Sequence, residues 1–453
     1  MLISRYSKPE FDPYGDNSPT EVDVWWPAPS VGAPLQAVLT LPGSKSLTNR
    51  ELVASALASE PSLLRAPLHS RDSDLMVDAL RQLGATIETV AGDGAFGVDL
   101  LVTPPEELLG STTIDCGLAG TVMRFLPPLA ALALGPTTFD GDAGARRRPM
   151  GPIIGALRDL GGDINDDGKR ALPFTVHGRG AVTGGAVTID AGSSSQFVSG
   201  LLLAGARFEQ GLHLTHSGER LPSLPHIEMT IEVLRARGVD VSTPNVGEWI
   251  VAPGLLAGRT VDIEPDLSNA APFLCAALVA GGSVTITGWP AETTQVGADL
   301  AQLLPLFGAV VTRVGDRLTV TAGEHIVGVD LDLSTGGELA CTLAALAALA
   351  STPSTITGIG HIRHHETDRL AALATEINRL GGKVTELPDG LRIEPAPLHG
   401  GQWLSYDDHR MATAGALIGL AVPGVEVENI GTTAKTLPQF PELWQSMITE
   451  AAL

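Results

Sequence analysis

The chain has 453 residues and a formal net charge of −22 at pH 7, which comes from 29 basic and 51 acidic side chains. This length is too great for one ordinary hydrophobic core, so we expect two large domains. The acidic balance argues against nucleic acid or an anionic membrane as a partner.

The sequence also indicates the compartment. The first 30 residues contain Trp25, Trp26 and several prolines, but no apolar run typical of a signal peptide. No apolar span of about 18 residues is free of charges and of Gly or Pro breaks, so no membrane helix is expected. Cys116, Cys275 and Cys341 are widely separated, which is typical of a reducing compartment. We therefore expect a soluble, cytoplasmic protein.

In chain order, one predicted helix type recurs five times. Each copy ends in a turn and a glycine followed by a short strand-like run, as in ALRQLGATIETV from residue 79. The glycines are about 70 to 77 residues apart, which indicates a repeated unit. Because glycine adopts the left-handed conformation without strain, it is expected to end each helix. These glycines are Gly84, Gly161, Gly238, Gly308 and Gly381.

A second, more apolar helix recurs six times. Its copies begin SKSLTNRELV at 44, LAGTVMRFL at 118, SSQFVSGLL at 194, SNAAPFLCA at 268, GELACTLAA at 337 and DHRMATAGA at 408. Each opens with Ser, Asp or Gly at the expected N-cap. Six βαβαβ-type units, three per domain, account for nearly all of residues 31–453. The joint between the third and fourth units is expected near residues 253–262.

Charged residues of these units cluster at the predicted helix N-termini. Free backbone N–H groups and the helix dipole favour anions at such places. Lys45, one of only five lysines, lies at one of them. Several N-termini that converge on a cleft between the domains would form an anion site in an otherwise acidic protein.

Single positions leave two interpretations open. Lys45, Ser46 and Arg50 either contact a ligand or form a capped helix start with solvated charges. Arg124 follows Gly120, whose small size allows a ligand to approach the backbone, or else it forms an internal ion pair.

The densest polar run spans residues 361–369. Glu366 is a candidate general acid or base and Arg369 an anion clamp, but an ordinary i,i+3 ion pair is the alternative. The histidine spacing is not HExxH and no second ligand cluster accompanies it, so a metal site is not expected.

Taken in order, these motifs resemble the EPSP synthase (3-phosphoshikimate 1-carboxyvinyltransferase) family of enolpyruvyl transferases. The resemblance runs from about residue 35 to 445 in the family's order and spacing. The matching motifs are LPGSKSLTNR, LAGTVMR, RRRPMG, SSQFVSGLL, LPSLPHIEMT, HETDRLAAL, DDHRMA and AKTLPQFP.

The resemblance implies an α/β fold, a two-domain inside-out α/β barrel with three repeats per domain. Helices lie inside, sheets lie outside, and the active site occupies the cleft between the domains. On this basis residues 1–30 are an N-terminal extension, residues 44–258 form the domain of repeats 1–3, and residues 31–43 with 259–453 form the domain of repeats 4–6.

The resemblance also implies a reaction. Phosphoenolpyruvate donates its enolpyruvyl group to the 5-hydroxyl of shikimate 3-phosphate, and phosphate is released. Neither a cofactor nor a metal is implied. The expected partners are these two small molecules, with no nucleic acid and no membrane, and the family suggests a monomer.

The matching motifs imply roles for individual residues. Glu338 is expected to take the 5-hydroxyl proton and Glu366 to handle the methylene proton, with Lys45 and His409 as helpers. The residues implied for shikimate 3-phosphate are Lys45, Ser46, Arg50, Ser194, Ser195, Gln196, Ser223, Glu338 and His365. Those implied for phosphoenolpyruvate are Lys45, Gly120, Arg148, Gln196, Arg369, Arg410 and Lys435.

Three positions depart from the family pattern. Glu338 stands where Asp is common, His365 where many members have Lys, and His361 where Asn is frequent. A neutral His365 would weaken phosphoshikimate binding or make it pH-dependent.

Two other functions are alternatives. UDP-N-acetylglucosamine enolpyruvyl transferases carry a reactive cysteine in the loop that corresponds to GDAGARRRPMG, which has none here. A non-catalytic sensor of phosphorylated metabolites would need neither Glu338 nor Glu366.

Overall fold

The structure, a computed structural model, describes residues 25–450. The strands of the first part of the chain are β1 (Trp25–Pro27), β2 (Leu35–Leu39), β3 (Ser62–Arg65), β4 (Thr86–Val90), β5 (Asp99–Thr103), β6 (Thr112–Asp115), β7 (Leu134–Asp140), β8 (Ile164–Asn165), β9 (Phe174–Arg179), β10 (Gly185–Ile189), β11 (Leu212–His216), β12 (Val241–Ser242), β13 (Glu248–Val251) and β14 (Thr260–Asp262). The remaining strands are β15 (Gly282–Ile286), β16 (Val310–Val314), β17 (Arg317–Thr321), β18 (Asp330–Asp332), β19 (Ser354–Thr357), β20 (Lys383–Leu387), β21 (Gly390–Glu394), β22 (Gly401–Trp403) and β23 (Val425–Glu428).

Helices alternate with these strands. They are α1 (Lys45–Ala56), α2 (Arg71–Gln82), α3 (Gly120–Leu132), α4 (Ala143–Arg146), α5 (Gly151–Asp159), α6 (Gln196–Gly205), α7 (Leu224–Arg235), α8 (Leu267–Ala280), α9 (Leu300–Leu306), α10 (Ala340–Ala348), α11 (Arg369–Arg379), α12 (His409–Ala421) and α13 (Phe440–Glu450). Short 3₁₀ turns span Val296–Asp299, Gly337–Leu339, Gly360–His364 and Ile430–Lys435. None of these helices has the length and apolarity that spanning a bilayer requires.

The strands between residues 25 and 450 form six small sheets. Five have four strands, in which a parallel pair is extended by two antiparallel strands. Their orders are β14-β3-β5-β4, β6-β7-β9-β8, β10-β11-β13-β12, β2-β15-β17-β16 and β18-β19-β21-β20. In the sixth, β22 pairs in parallel with β23, and β1 adds the antiparallel strand. The N-terminal part of the chain therefore completes the last repeat.

Helices lie inside and sheets outside, which confirms the inside-out α/β prediction. Every residue of α3 and of α10 is buried, whereas β2 alternates between buried and exposed positions. Buried apolar side chains form two clusters, one from residues 52–256 and one from residues 28–41 and 267–447. The chain thus builds two halves, each around its own core of helices.

The chain crosses between the halves twice, and the two crossings are hydrogen-bonded to each other. The Ser44 N–H donates to the Glu264 carbonyl at 2.7 Å, and the Asp266 N–H donates to the Pro42 carbonyl at 2.9 Å. The strand before each crossing pairs with a strand of its own half, β2 with β15 in the second half and β14 with β3 in the first. The α1 and α8 N-termini therefore lie side by side at the junction.

These pairings bear on the domain limits. Because β14 belongs to the sheet of β3, the boundary drawn at 258/259 falls too early, and we propose a limit near residue 263. Strand β2, within residues 31–43, lies in the second half. Of the segment 1–30, residues 1–24 lie outside the described residues, and β1 belongs to a sheet of the second half.

The predicted helix ends are confirmed, and the predicted starts only partly. Gly84, Gly161, Gly238, Gly308 and Gly381 all have positive φ, between 80° and 102°. The side chains of two expected capping residues, Ser44 and Asp408, accept from their helices' backbone N–H groups. Helix α8 is capped instead by Asp266, two residues before the expected Ser268. The other three apolar helices have no side-chain cap, so that part of the prediction was wrong.

Gly43 is required at the first crossing because a Cβ there would lie 2.4 Å from the Ala66 carbonyl oxygen and 3.0 Å from Ile263 Cγ2. We expect Gly43→Ala to lower the free energy of unfolding by ~1–3 kcal/mol, since a backbone atom cannot move aside cheaply. Urea unfolding measures the effect. Gly32→Ala is the control, because no atom of residues 25–450 lies within 4 Å of a Cβ added there. Equal midpoints for the two variants would contradict the close approach at Gly43.

Candidate active site

A cavity lies between the two halves, where the N-termini of helices from both meet. Most of the residues that the sequence assigned to a site line it. They are Lys45, Ser46, Arg148, Ser194, Ser195, Gln196, Ser223, Glu338, His365, Glu366, Arg369, His409 and Arg410.

Two further predicted residues lie directly behind the wall. Gly120 begins α3, and a Cβ there would lie 2.9 Å from Gln196 Oε1 and 3.0 Å from an Arg148 nitrogen, so a side chain at this position would displace those two groups. Lys435 is buried, and its ammonium donates to Glu366 and to the Leu118 carbonyl.

Arg50 is not among the side chains that line the cavity, and its contact with shikimate 3-phosphate stays a prediction. Its guanidinium donates to Thr230 Oγ1 at 2.8 Å, to the Ser46 carbonyl at 2.9 Å and to the His226 carbonyl at 2.9 Å. Burial lowers its pKa to about 9. Arg50 therefore holds the backbone of two cavity-lining segments in place from behind.

Three arginines of the cavity have no carboxylate partner among residues 25–450: Arg124, Arg148 and Arg410. Arg148 donates to the Leu118 carbonyl at 3.1 Å, and the Nε atoms of Arg124 and Arg148 have no hydrogen-bond partner among the described residues. Burial, together with the charge of Arg148, lowers the pKa of Arg124. The alternative that Arg124 forms an internal ion pair was therefore wrong. Arg124 and Arg148 are buried and Arg410 is half-buried. Because cations withdrawn from water are costly without an anion, this wall favours the binding of one.

Glu366 is an ionised carboxylate held between two cations. Lys435 donates to its Oε1, and Arg369 donates to its Oε2 at 3.0 Å. Burial alone would favour the neutral acid, but the charges of Lys435 and Arg369 outweigh it and hold the pKa of Glu366 well below its usual range. The i,i+3 ion pair is thus present, and both of its members also line the cavity.

Arg369 is nearly saturated by protein groups. It donates to both carboxylate oxygens of Asp408, at 2.7 and 3.0 Å, to Glu366, and to His365 Nδ1 at 2.9 Å. Burial opposes its charge, but the carboxylates of Asp408 and Glu366 prevail and raise its pKa. With four of its five N–H groups used, one on Nη1 remains for a ligand.

Three histidines of the cavity, His361, His365 and His409, are neutral. His365 Nδ1 accepts from Arg369, which requires that this nitrogen carry no proton. Burial, aided by Arg369, lowers the pKa of His365 and that of His361, the latter to about 4. Burial and the neighbouring Arg410 lower the pKa of His409, whose ring nitrogens have no hydrogen-bond partner in the part of the chain that the structure describes.

Glu338 is a carboxylate held from both halves. Ser268 donates to its Oε1, and His226 Nε2 lies 3.0 Å from its Oε2. Burial would raise the pKa of Glu338, but His226 and Arg410 prevail and lower it below its usual range. The sequence did not identify Ser268 or His226. His226 lies in the HIEMT run of a matching motif, but the sequence does not indicate that its partner is Glu338.

Lys45 joins the two crossings to the cavity. Its backbone N–H donates to Asp266 Oδ2 at 3.1 Å, and its ammonium lies 3.4 Å from Asp72 Oδ2. Burial lowers its pKa, with Lys435 and Arg410 acting in the same direction against Asp72. An ammonium with a lowered pKa gives up a proton more readily than an ordinary lysine.

Several contacts join the halves around the cavity. The Lys435 ammonium donates to the Leu118 carbonyl at 3.2 Å, and the Ser223 N–H donates to the Ser334 carbonyl at 3.2 Å. Further out, Arg220 forms an ion pair with Asp389 at 2.6 Å. The described arrangement is therefore closed over the cavity.

Comparison with known proteins identifies relatives over nearly the whole chain. The profile of EPSP synthase (3-phosphoshikimate 1-carboxyvinyltransferase) matches residues 29–444. The chain is 58% identical over 431 residues to the 3-phosphoshikimate 1-carboxyvinyltransferase of Kocuria rhizophila, covering 94% of this chain and 97% of that protein. Two structures of EPSP synthase from Acinetobacter baumannii share the fold, with TM-scores of 0.76 and 0.75 at 23% identity, covering 92% of this chain and 97% of each of those.

The neutral histidines predict how stability depends on pH. The pKa of His361 is about 4 in the folded chain and near 6.5 in the unfolded chain. As pH falls below 6.5, the unfolded chain therefore binds a proton at this residue and the folded chain does not, which lowers the free energy of unfolding. His361→Gln should therefore reduce the loss of unfolding free energy between pH 6 and 5 by up to ~1.4 kcal/mol per pH unit.

Urea unfolding at several pH values measures this slope. His325→Gln is the control, because His325 is exposed and lies outside the cavity. An unchanged slope in the His361 variant would show that this ring is not buried as a neutral group.

Proposed function

The chain belongs to the EPSP synthase family, and from that premise we propose that the cavity between its halves is where its reaction takes place. The protein is a 3-phosphoshikimate 1-carboxyvinyltransferase of aromatic amino acid biosynthesis. It transfers the enolpyruvyl group of phosphoenolpyruvate to the 5-hydroxyl of shikimate 3-phosphate, which yields 5-enolpyruvylshikimate 3-phosphate and phosphate. The observation that supports the location is the meeting of unpartnered arginines and two ionised carboxylates in one cavity.

The reaction has two stages, and each needs a proton transfer. First, the 5-hydroxyl oxygen bonds to C2 of phosphoenolpyruvate while C3 takes a proton and the hydroxyl loses one, which gives a tetrahedral intermediate. Then the C2–O bond to phosphate breaks, a proton leaves the new methyl group, and the enol ether forms. The site must therefore bind two anions and hold groups that move protons at two different atoms.

We propose that phosphoenolpyruvate binds against the unpartnered cations. Arg148 and Gln196 of the first half face Arg410 of the second, and the Gly120 backbone lies beside them. Phosphate and carboxylate groups need several charge-assisted donors, which these side chains supply. Lys45, Arg369 and Lys435 complete the proposed set, although Arg369 has a single N–H to give.

Shikimate 3-phosphate is proposed to bind along the adjacent wall of the first half. The hydroxyls of Ser46, Ser194, Ser195 and Ser223 line the cavity there, at helix starts suited to a phosphate. His365 faces them from the second half, and as a neutral ring it offers a hydrogen bond rather than a charge. Arg50 is proposed to act indirectly, through the Ser46 backbone that it holds.

Glu338 is the proposed base for the 5-hydroxyl. Its pKa lies below the usual range, so it is ionised at neutral pH and accepts the hydroxyl proton as the oxygen attacks. Its longer side chain places the carboxylate one methylene further into the cavity than an aspartate would.

Glu366 is the proposed group at C3. While Lys435 and Arg369 hold it, the carboxylate has little affinity for a proton. An arriving phosphoenolpyruvate competes for the same two cations, which raises the proton affinity of Glu366 at the moment when one must be delivered. Lys45, with its lowered pKa, and His409 are proposed to pass protons to it.

The oligomeric state, the compartment and the absence of macromolecular partners belong to this proposal. We expect the enzyme to act as a monomer in the cytoplasm, on these small molecules and without nucleic acid or membrane. The net charge of −22 and the three unpaired, buried cysteines support this setting.

Arg410→Ala should weaken catalysis mainly toward phosphoenolpyruvate, because it removes an unpartnered cation from the wall where that anion is proposed to bind. The expected loss is ~2–4 kcal/mol of transition-state stabilisation, or about 30- to 1000-fold in kcat/KM for phosphoenolpyruvate. Steady-state kinetics measure it. Arg147→Ala, at an exposed arginine, is the matched control. Equal impairment toward both substrates would show that Arg410 is wrongly placed.

Turnover and isotope exchange should distinguish the proposed roles of Glu338 and Glu366. Glu338→Gln should lower turnover by about 10²–10⁴-fold with little change in phosphoenolpyruvate affinity. In D₂O, the wild type should place deuterium at C3 of recovered phosphoenolpyruvate when the addition step reverses. Glu366→Gln should lose this exchange even with shikimate 3-phosphate bound. Exchange at the wild-type rate in Glu366→Gln would exclude Glu366 and favour Lys45 as the donor.

A further inference from the structure

The carboxylate of Glu338 is held by one donor from each half of the molecule. Ser268, at the start of α8 in the second half, donates to Oε1. His226, in the first turn of α7 in the first half, places Nε2 at 3.0 Å from Oε2. An ionised carboxylate only accepts hydrogen bonds, so His226 Nε2 is the donor. Opening of the halves would remove this second bond and leave the carboxylate with the serine alone.

His226 is itself firmly placed. Its main-chain carbonyl accepts from the Arg50 guanidinium at 2.9 Å and from Thr230 Oγ1 at 3.0 Å. Three residues earlier, Ser223 has φ of 53° and donates its N–H to the Ser334 carbonyl across the cleft. The start of α7 therefore docks against the segment that leads to Glu338 through two contacts, one from the backbone and one from the imidazole.

We propose that His226 is a positioning residue for Glu338, which completes the orientation of this base from the opposite half when the halves close. This inference rests on the proposed role of Glu338. A carboxylate with both oxygens held has one orientation, whereas a carboxylate held by one serine rotates between several. The base would then be aligned only in the closed state, in which the reacting groups are shielded from bulk water.

Substitutions of different reach test the geometry. The amide nitrogen of Gln lies about as far along the side chain as His Nε2, and that of Asn about as far as Nδ1. We expect His226→Phe and His226→Asn to lower kcat by about 10- to 100-fold, since a hydrogen bond to a charged group is lost. His226→Gln should restore kcat to within about threefold of the wild type. The KM values and the dissociation constants of both substrates should change little.

Measuring His226→Phe in a protein that also carries Glu338→Gln tests the positioning role of His226 separately from the proposed role of Glu338. If His226 acts through Glu338, then His226→Phe should cause no further loss of kcat in that background. If Glu338→Gln alone retains wild-type turnover, the proposed role of Glu338 fails, and the positioning role fails with it. If Glu338→Gln is impaired but His226→Phe is as active as the wild type, only the positioning role fails.

Two other outcomes would overturn the inference. A rise in KM for shikimate 3-phosphate at unchanged kcat in His226→Phe would make His226 a ligand contact. Equal losses in His226→Gln and His226→Phe would mean that the imidazole acts through its packing rather than through Nε2. Thermal unfolding of each variant, compared with the wild type, shows that the losses do not come from unfolded protein.

Discussion

The structure depends on gathering positive charge in a protein whose net charge is −22. Arg124, Arg148 and Arg410 lie in one cavity without carboxylate partners among the described residues. Taking such charges out of water is costly, and attraction to an anion offsets that cost. Dividing the cations between two halves limits the cost in the absence of ligand, because each half alone holds only part of the charge.

The fold brings the cations together by placing helix N-termini of both halves next to each other. The crossings at residues 42–44 and 264–266 set the N-termini of α1 and α8 side by side, and Asp266 accepts from the backbone N–H groups of both helices. Two other cations near the cavity form ion pairs, which offsets their repulsion of neighbouring cations: Arg369 pairs with Asp408, and Lys435 pairs with Glu366. His365 adds no further positive charge beside Arg369, because its Nδ1 accepts a hydrogen bond from that arginine and its ring is neutral.

Sequence patterns predicted what is local and missed what depends on partners far along the chain. The five glycines at helix ends follow from backbone conformation alone, and all have positive φ. The limit at 258/259 was early because β14 pairs with β3, about 200 residues away, which no periodicity encodes. Arg50 belongs to a matching motif yet points behind the wall, and the His226–Glu338 pair joins residues of different halves.

The central claim is that the anion site is complete only when the two halves come together. Small-angle X-ray scattering measures this directly, as the radius of gyration without ligand and with saturating shikimate 3-phosphate and phosphoenolpyruvate. We predict a larger radius without ligands, and with both a smaller one that matches the closed arrangement described here. A radius that stays the same on addition of both substrates would contradict the claim.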